Sequence, residues 1–257
     1  MSEDPDKLLE ARIGDMYDRA EKYYSCVYSS FLDERQCLLA EKLCNKRQNS
    51  IHGGELLYSL WGGFENAQRK ILCVYNEYCS DMYMQDFPVK CLTFSYRKED
   101  RLSHRDFLGS FMGMNLKRET IGDIVVSEGE TQTFVTDTAA ALILQLAGKI
   151  GRVGVKISED VPFHLESEIK LREISGTAAS MRLDCITALA AGISREKAAA
   201  LIRSERVSVN HSPVTSVSRE LRQGDILSVR GSGRFIVSGT DGVTRKNRIH
   251  IILKKYI

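Results

Sequence analysis

At 257 residues and 28.9 kDa, the chain has room for one large domain or two to three small ones. Apolar residues make up 43% and charged residues 27%, which excludes bulk disorder, and only four prolines beside 19 glycines exclude collagen-like and linker-dominated chains. The net charge of +2 hides a division: residues 176–257 hold 14 Lys and Arg against 6 Asp and Glu (net +8), while residues 1–175 hold 22 against 28 (net −6). A basic segment of that size favours a polyanionic partner, of which nucleic acid is the commonest.

The first 85 residues read as mainly helical. Residues 6–24 form a polar, Tyr-bearing helix candidate. Residues 33–46 form a second, with Asp33 as N-cap and Cys37, Leu38, Ala40, Leu43 and Cys44 at helical spacing. Gly53-Gly54 and Gly62-Gly63 punctuate the next stretch, and residues 69–75 read as a strand. Strand and helix signals then alternate over residues 86–175. Residues 89–96 are a half-buried strand, and 103–112 a short helix capped by Ser103. Residues 123–126 and 131–135 are strands separated by the turn Glu128-Gly129-Glu130. Residues 138–147 form an apolar helix capped by Asp137, and 152–157 a last strand. The order βαββαβ is that of a ferredoxin-like sheet, which RNA-recognition modules share with many unrelated proteins. A connector follows, with a strand candidate at 168–174 and a small, polar boundary at 175–180. The expected fold is α+β in three parts: 1–85, 86–175 and 176–257.

No apolar stretch exceeds about half a membrane span, and the opening MSEDPDKLLE is acidic with no apolar run, so neither a membrane helix nor a secretory leader is expected. Seven cysteines, an odd number crowded into the first half without a C-x-x-C, read as reduced thiols in a cytoplasm. No Cys/His cluster has zinc spacing, so no metal is expected. Cys37 and Cys44 share a helical face and read as core.

The basic segment opens with a helix over 181–190, capped by Ser180 and ended by Gly192. A second helix runs from Ser194 to about 204. On it Ala198, Leu201 and Ile202 share a buried stripe, and Arg195, Ala199 and Arg203 lie beside that stripe. The free N–H groups at the Ser194 end add attraction for phosphate. A strand at 207–210 runs into a turn at 211–213. Residues 221–229 hold a turn at Gly224-Asp225 and another strand. Arg230-Gly231-Ser232-Gly233-Arg234 is a glycine loop between arginines, and 249–253 a final strand.

RLDCITALAAGISREKAAALIRSERVSVN (182–210), with LRQGDILSVRGSGRF (221–235), resembles the S4 RNA-binding domain, two short helices on a small twisted sheet. With HRDFLGSFMGMNLKRETIGDI (104–124), the whole chain is similar to the YlmH-type family, encoded near cell-division genes in many Gram-positive bacteria. The resemblance implies RNA contacts by Arg182, Ser194, Arg195, Lys197, Arg203, Arg206, Asn210, Arg230 and Arg234. Glu196 departs from the usual Ser or basic residue and puts an acid beside the phosphate site. Asp184 is expected to hold Arg182 or cap backbone. Arg105, Lys117 and Arg118 form a possible second RNA patch.

The resemblance also implies a non-catalytic, cytoplasmic, monomeric factor that binds rRNA or tRNA on the ribosome. The large subunit is the expected site, in quality control or rescue of stalled peptidyl-tRNA, with no cofactor. Two alternatives stand beside it. An RNA-modifying enzyme is suggested by Arg182-Leu183-Asp184, which resembles the RLD of pseudouridine synthases. However, only 73 residues follow Asp184, and no S-adenosylmethionine or P-loop motif is present. A scaffold for cell-division or ribosomal proteins fits the acidic first two parts. His104-Arg105-Asp106 reads as a helix start rather than a kinase loop. Trp61, Tyr58 and Phe64 read as core rather than as a base-stacking platform.

Overall fold

The computed structural model describes residues 4–48, 56–79, 87–159, 161–165, 171–244 and 248–256. The chain divides into two compact units, Met1–Ser167 and Glu168–Ile257.

In the first unit α1 (Pro5–Tyr23) starts where Asp4 accepts the Asp6 N–H at 3.1 Å and Pro5 supplies a pre-set first turn. It buries Leu9, Ile13, Met16, Tyr17 and Ala20. β1 (Val27–Leu32) leads to α2 (Glu34–Gln48), opened by a reciprocal cap. The Gln36 N–H donates to Asp33 at 2.8 Å, and the Asp33 N–H donates to Gln36 at 2.9 Å. β2 (Leu56–Trp61) and β3 (Lys70–Asn76) complete an antiparallel sheet in the order β1-β3-β2. The expectation of a mainly helical start is therefore corrected. VYSSFL and LLYSLW are short and do not alternate apolar with polar residues, and their strand character comes from pairing with the buried centre strand β3. Gly53-Gly54 lies outside the described residues. Gly63 has φ +103, and a Cβ there would sit 2.1 Å from the Phe134 ring, so this glycine permits a close approach rather than mere punctuation.

Next come β4 (Lys90–Ser95), α3 (His104–Gly113), a 3-10 turn (Arg118–Thr120), β5 (Ile121–Ser127), β6 (Glu130–Val135), α4 (Asp137–Leu146), β7 (Lys149–Ile150), β8 (Val153–Gly154) and β9 (Lys156–Ser158). The sheet order β5-β6-β4-β9, antiparallel throughout, is the ferredoxin-like arrangement. Leu92, Phe94, Phe107, Phe111, Ile121 and Ile143 fill its core. Ser103 and Asp106 form a capping box on α3. The cap of α4 is Thr136, one residue earlier than Asp137. The strand expected at 152–157 is divided, because Val155 turns its N–H to Gly148 while β8 pairs with β7 and β9 with β4. Phe31, Ile71, Cys73 and Tyr75 share a core cluster with Phe87 and Phe134, so the two sheets belong to one unit.

The second unit contains β10 (Leu171–Ala178), α5 (Leu183–Ala191), α6 (Arg195–Arg203), β11 (Val207–Val209), β12 (Ser212–Pro213), β13 (Ile226–Val229), β14 (Gly233–Val243) and β15 (Ile249–Tyr256). The six strands lie in the order β10-β15-β14-β13-β11-β12. Val207, Val209, Leu227, Val229, Phe235, Val237, Ile251 and Leu253 share one core with Leu183 and Ile186 of α5 and Ile202 of α6. Ser175 and Gly176 sit inside β10, opposite Ile252 and Ile251, not at a strand end. The absent side chain of Gly176 admits Leu189 of α5. Residues 168–170 of the expected strand lie outside the described residues. The N-cap of α5 is Arg182 rather than Ser180. Asn210 and His211, both at positive φ, make the turn, and Ser212–Pro213 pairs back as β12.

Candidate nucleic-acid interface

The two helices of the second unit are locked together locally. Gly192 ends α5 in the left-handed conformation, and the Ile193 N–H closes back on Ala188 at 3.0 Å. Ser194 follows at once and caps α6, accepting from the Lys197 N–H at 3.3 Å. α6 ends similarly: Glu205 takes φ +57, its N–H bonds Ile202, and the Arg206 N–H bonds Leu201. This closure places Arg206 directly after the helix, at the negative end of its dipole.

Asp184 is buried on α5. Its carboxylate accepts from Arg182 Nε at 3.2 Å and from Arg195 Nη2 at 2.5 Å. Burial pushes this carboxyl up, but hydrogen bonds and charge from Arg195 and Arg182 outweigh it and hold the group below the usual carboxylate range. The same contact raises the basicity of Arg195. The expected Asp184–Arg182 contact is present, and Arg195 shares it.

The strongest convergence of cations lies at the other end of α6. The Arg230 N–H donates to the Arg206 carbonyl at 2.9 Å, next to the Val207–Val229 pair. Arg206 and Arg230 therefore project from adjacent strand ends, with Arg203 on the last helical turn, and all three are exposed. Neither Arg206 nor Arg230 has an acidic partner among the described residues. Arg234 lies across β13 from this edge, its guanidinium 5.5 Å from the Tyr256 ring centre. Lys197 is exposed on the first turn of α6. Asn210 is committed inside the sheet, donating to Asp225 and accepting from the Ile226 N–H, both at 2.8 Å.

In the first unit Arg105 and Lys117 are exposed, but Arg118 is drawn inward and donates to the Ile121 carbonyl at 2.7 Å. Burial, with Arg69 beside it, lowers its basicity to about 10. Arg69 was not marked in the sequence. It donates to the same carbonyl at 2.8 Å, and nothing in its local pattern distinguishes it from any residue opening a strand. Phe64 packs on Phe134 at 4.9 Å and Phe163 at 4.5 Å, Trp61 joins that cluster, and Tyr58 donates to Asn45, so these aromatics are core. Asp106 bonds Ser103 and serves the start of α3. The seven thiols are free. Burial raises Cys37 and Cys91 to about 11 and Cys73 to about 12.

Residues 83–163 match the family described as "Putative RNA-binding domain in YlmH", and residues 181–227 match the S4 domain. "Ribosome-associated protein quality control protein P2" of Bacillus subtilis (strain 168) is 28% identical over 246 residues, covering 91% of this chain and 89% of that protein. The chain thus carries a match to the RNA-binding domain of YlmH followed by an S4 domain. The structure of "Cell division protein ylmH from Streptococcus pneumoniae" shares its fold, with a TM-score of 0.52 at 19% identity, over 63% of this chain and 94% of that one. The YlmH match spans the whole ferredoxin-like sheet, and the S4 match spans α5 to the first residues of β13. Arg230 and Arg234 lie just beyond the matched S4 residues, on the hairpin that completes the basic edge.

Proposed function

We propose that this chain binds structured RNA on the ribosome through the S4 edge formed by Arg203, Arg206 and Arg230, with Lys197, Arg195 and Arg182 extending it along α6 and α5. The pairing of Arg206 with Arg230 carries this reading. Two arginines on neighbouring strand ends are brought opposite one another by one backbone hydrogen bond, without an acid paired to either among the described residues. Such an array neutralises phosphates and reads the shape of a folded RNA rather than its sequence. The name of the Bacillus relative supports the ribosome as the place and quality control as the process. Within it, the large subunit carrying a stalled peptidyl-tRNA is the target we infer, reached in the cytoplasm by a monomer that binds rather than turns over. The commitment of Asp184 to two arginines supports a structural role for that acid rather than a nucleophilic one.

Sedimentation of the purified protein with separated ribosomal subunits tests this. Wild type is expected to travel with the large subunit, and an Arg206→Glu, Arg230→Glu variant to stay at the top of the gradient. Wild type staying at the top, or the variant travelling with the subunit as wild type does, would overturn the proposal.

A further inference from the structure

The first unit contains a cleft of about 560 Å³ between α1, the end of β1, the start of α2 and the 3-10 turn before β5. That volume falls within the range of small-ligand pockets, about 300–1,000 Å³. Its apolar lining includes Pro5, Leu8 and Leu9 on α1. Its charged lining carries Arg12, one turn further along the same helix, with Arg69, Lys117 and Arg118, against two acids, Asp33 and Glu119. Asp33 is already engaged at the start of α2, where it accepts the Gln36 N–H. The half-buried Asp123 is engaged too, accepting the Gln68 and Arg69 N–H groups at 2.6 and 3.2 Å.

Arg69 and Arg118 both donate to the Ile121 carbonyl, which holds two like charges together in a partly desolvated place. Burial and the neighbouring charge of Arg69 depress Arg118, and the charges of Asp123 and Asp33 offset only part of this, since Arg118 still lies below its ordinary value. An anion placed here relieves that repulsion and gains charge-assisted hydrogen bonds. Arg12 and Lys117 are exposed at the rim and form no ion pair among the described residues.

We infer that this cleft binds a phosphate-bearing ligand with an apolar portion, that is, a nucleotide. Its source is either a single strand of RNA or a free mononucleotide. The phosphate meets Arg12 and Lys117 over the Arg69–Arg118 pair, and the base or ribose lies on Pro5, Leu8 and Leu9. The site is in the unit that lacks the S4 domain, so the inference does not depend on the S4 reading.

The test uses the full chain carrying Arg206→Glu and Arg230→Glu, which silences the S4 edge and leaves the cleft intact. Inorganic phosphate, adenosine monophosphate and a short single-stranded oligoribonucleotide are titrated by calorimetry. The titrations are repeated with Arg12→Ala and Lys117→Ala added; these are two exposed side chains whose removal leaves the melting temperature unchanged. Binding weakened about tenfold or more by the added pair supports the cleft. Adenosine monophosphate binding as well as the oligoribonucleotide identifies a free nucleotide, and oligoribonucleotide binding alone identifies a strand. No binding of any probe, or binding indifferent to Arg12→Ala and Lys117→Ala, overturns the inference. Failure of the S4 reading shows separately, in the sedimentation of wild type.

Discussion

Replacing Asp184 by Asn separates stability from RNA binding within one domain. The carboxylate lies buried between Arg182 and Arg195, with 9% of its side chain exposed. A hydrogen bond to a charged group contributes about 1.5–3 kcal/mol and a neutral one about 0.5–1.5, so neutralising the acceptor costs roughly 1 kcal/mol per bond. The partial exposure of the arginines reduces this, and an amide N–H turned toward a guanidinium adds to it, which leaves about 2 kcal/mol. For a unit of this size that is a melting temperature lower by roughly 10 °C at pH 7. The folded carboxyl is held below its unfolded value near 3.9, so its contribution is present above that pH and disappears as pH falls through the folded value. The gap between wild type and Asp184→Asn is therefore constant from about pH 5 to 8 and narrows only as acid takes the folded carboxyl through its own, lower value. At 25 °C the variant, with one acid fewer and Arg195 released, binds RNA at least as tightly as wild type. Circular dichroism melts across pH and filter binding at pH 7 measure both. Equal melting at pH 7, a gap that widens rather than narrows on acidification, or lost RNA affinity in a folded variant would refute the reasoning.

Asn210→Ala removes two hydrogen bonds of 2.8 Å from a residue at φ +48, and is expected to cost about 2 kcal/mol in a denaturant titration. RNA affinity per folded molecule is unchanged, whereas a specific loss of affinity would make Asn210 a contact. Gly63→Ala drives a Cβ into the Phe134 ring at φ +103 and is expected to destabilise the first unit by at least about 2 kcal/mol. A thermal melt matching wild type would contradict that packing. In a thiol titration of the native protein, the half-buried Cys26 and Cys79 react ahead of the buried Cys37, Cys44 and Cys73, which wait for denaturant. Prompt reaction of all seven thiols would contradict the core assignments.

The S4 helices were legible because their ends carry chemical signals. Ser194 caps where it should, Gly192 stops α5, and Ala198 and Ile202 face the core. The ferredoxin-like order was legible because Glu128-Gly129 makes a tight hairpin and α4 is almost wholly apolar. The strands β1 and β2 were hidden because neither alternates cleanly, and pairing with β3, which lies far along the chain from β1, supplies what local pattern does not. β10 was obscured by Ser175-Gly176, small residues that read as a boundary but serve a close helix–strand contact. Among the residues expected to touch RNA, sequence marks the side chain but not what it is engaged with. Arg195 is tied to Asp184, Arg118 turns inward to a carbonyl, and Asn210 builds a turn, while Arg206 and Arg230 meet only through the register of β11 and β13.

The most direct test of the central claim is the salt dependence of affinity for the large subunit, measured by fluorescence anisotropy of labelled protein. If about five phosphates are neutralised, affinity falls by roughly two to three decades between 50 and 200 mM salt. The slope of log affinity against log salt becomes shallower by about two in Arg206→Glu, Arg230→Glu. A flat salt response in wild type, or an unchanged slope in the variant, would contradict an RNA interface built on that edge.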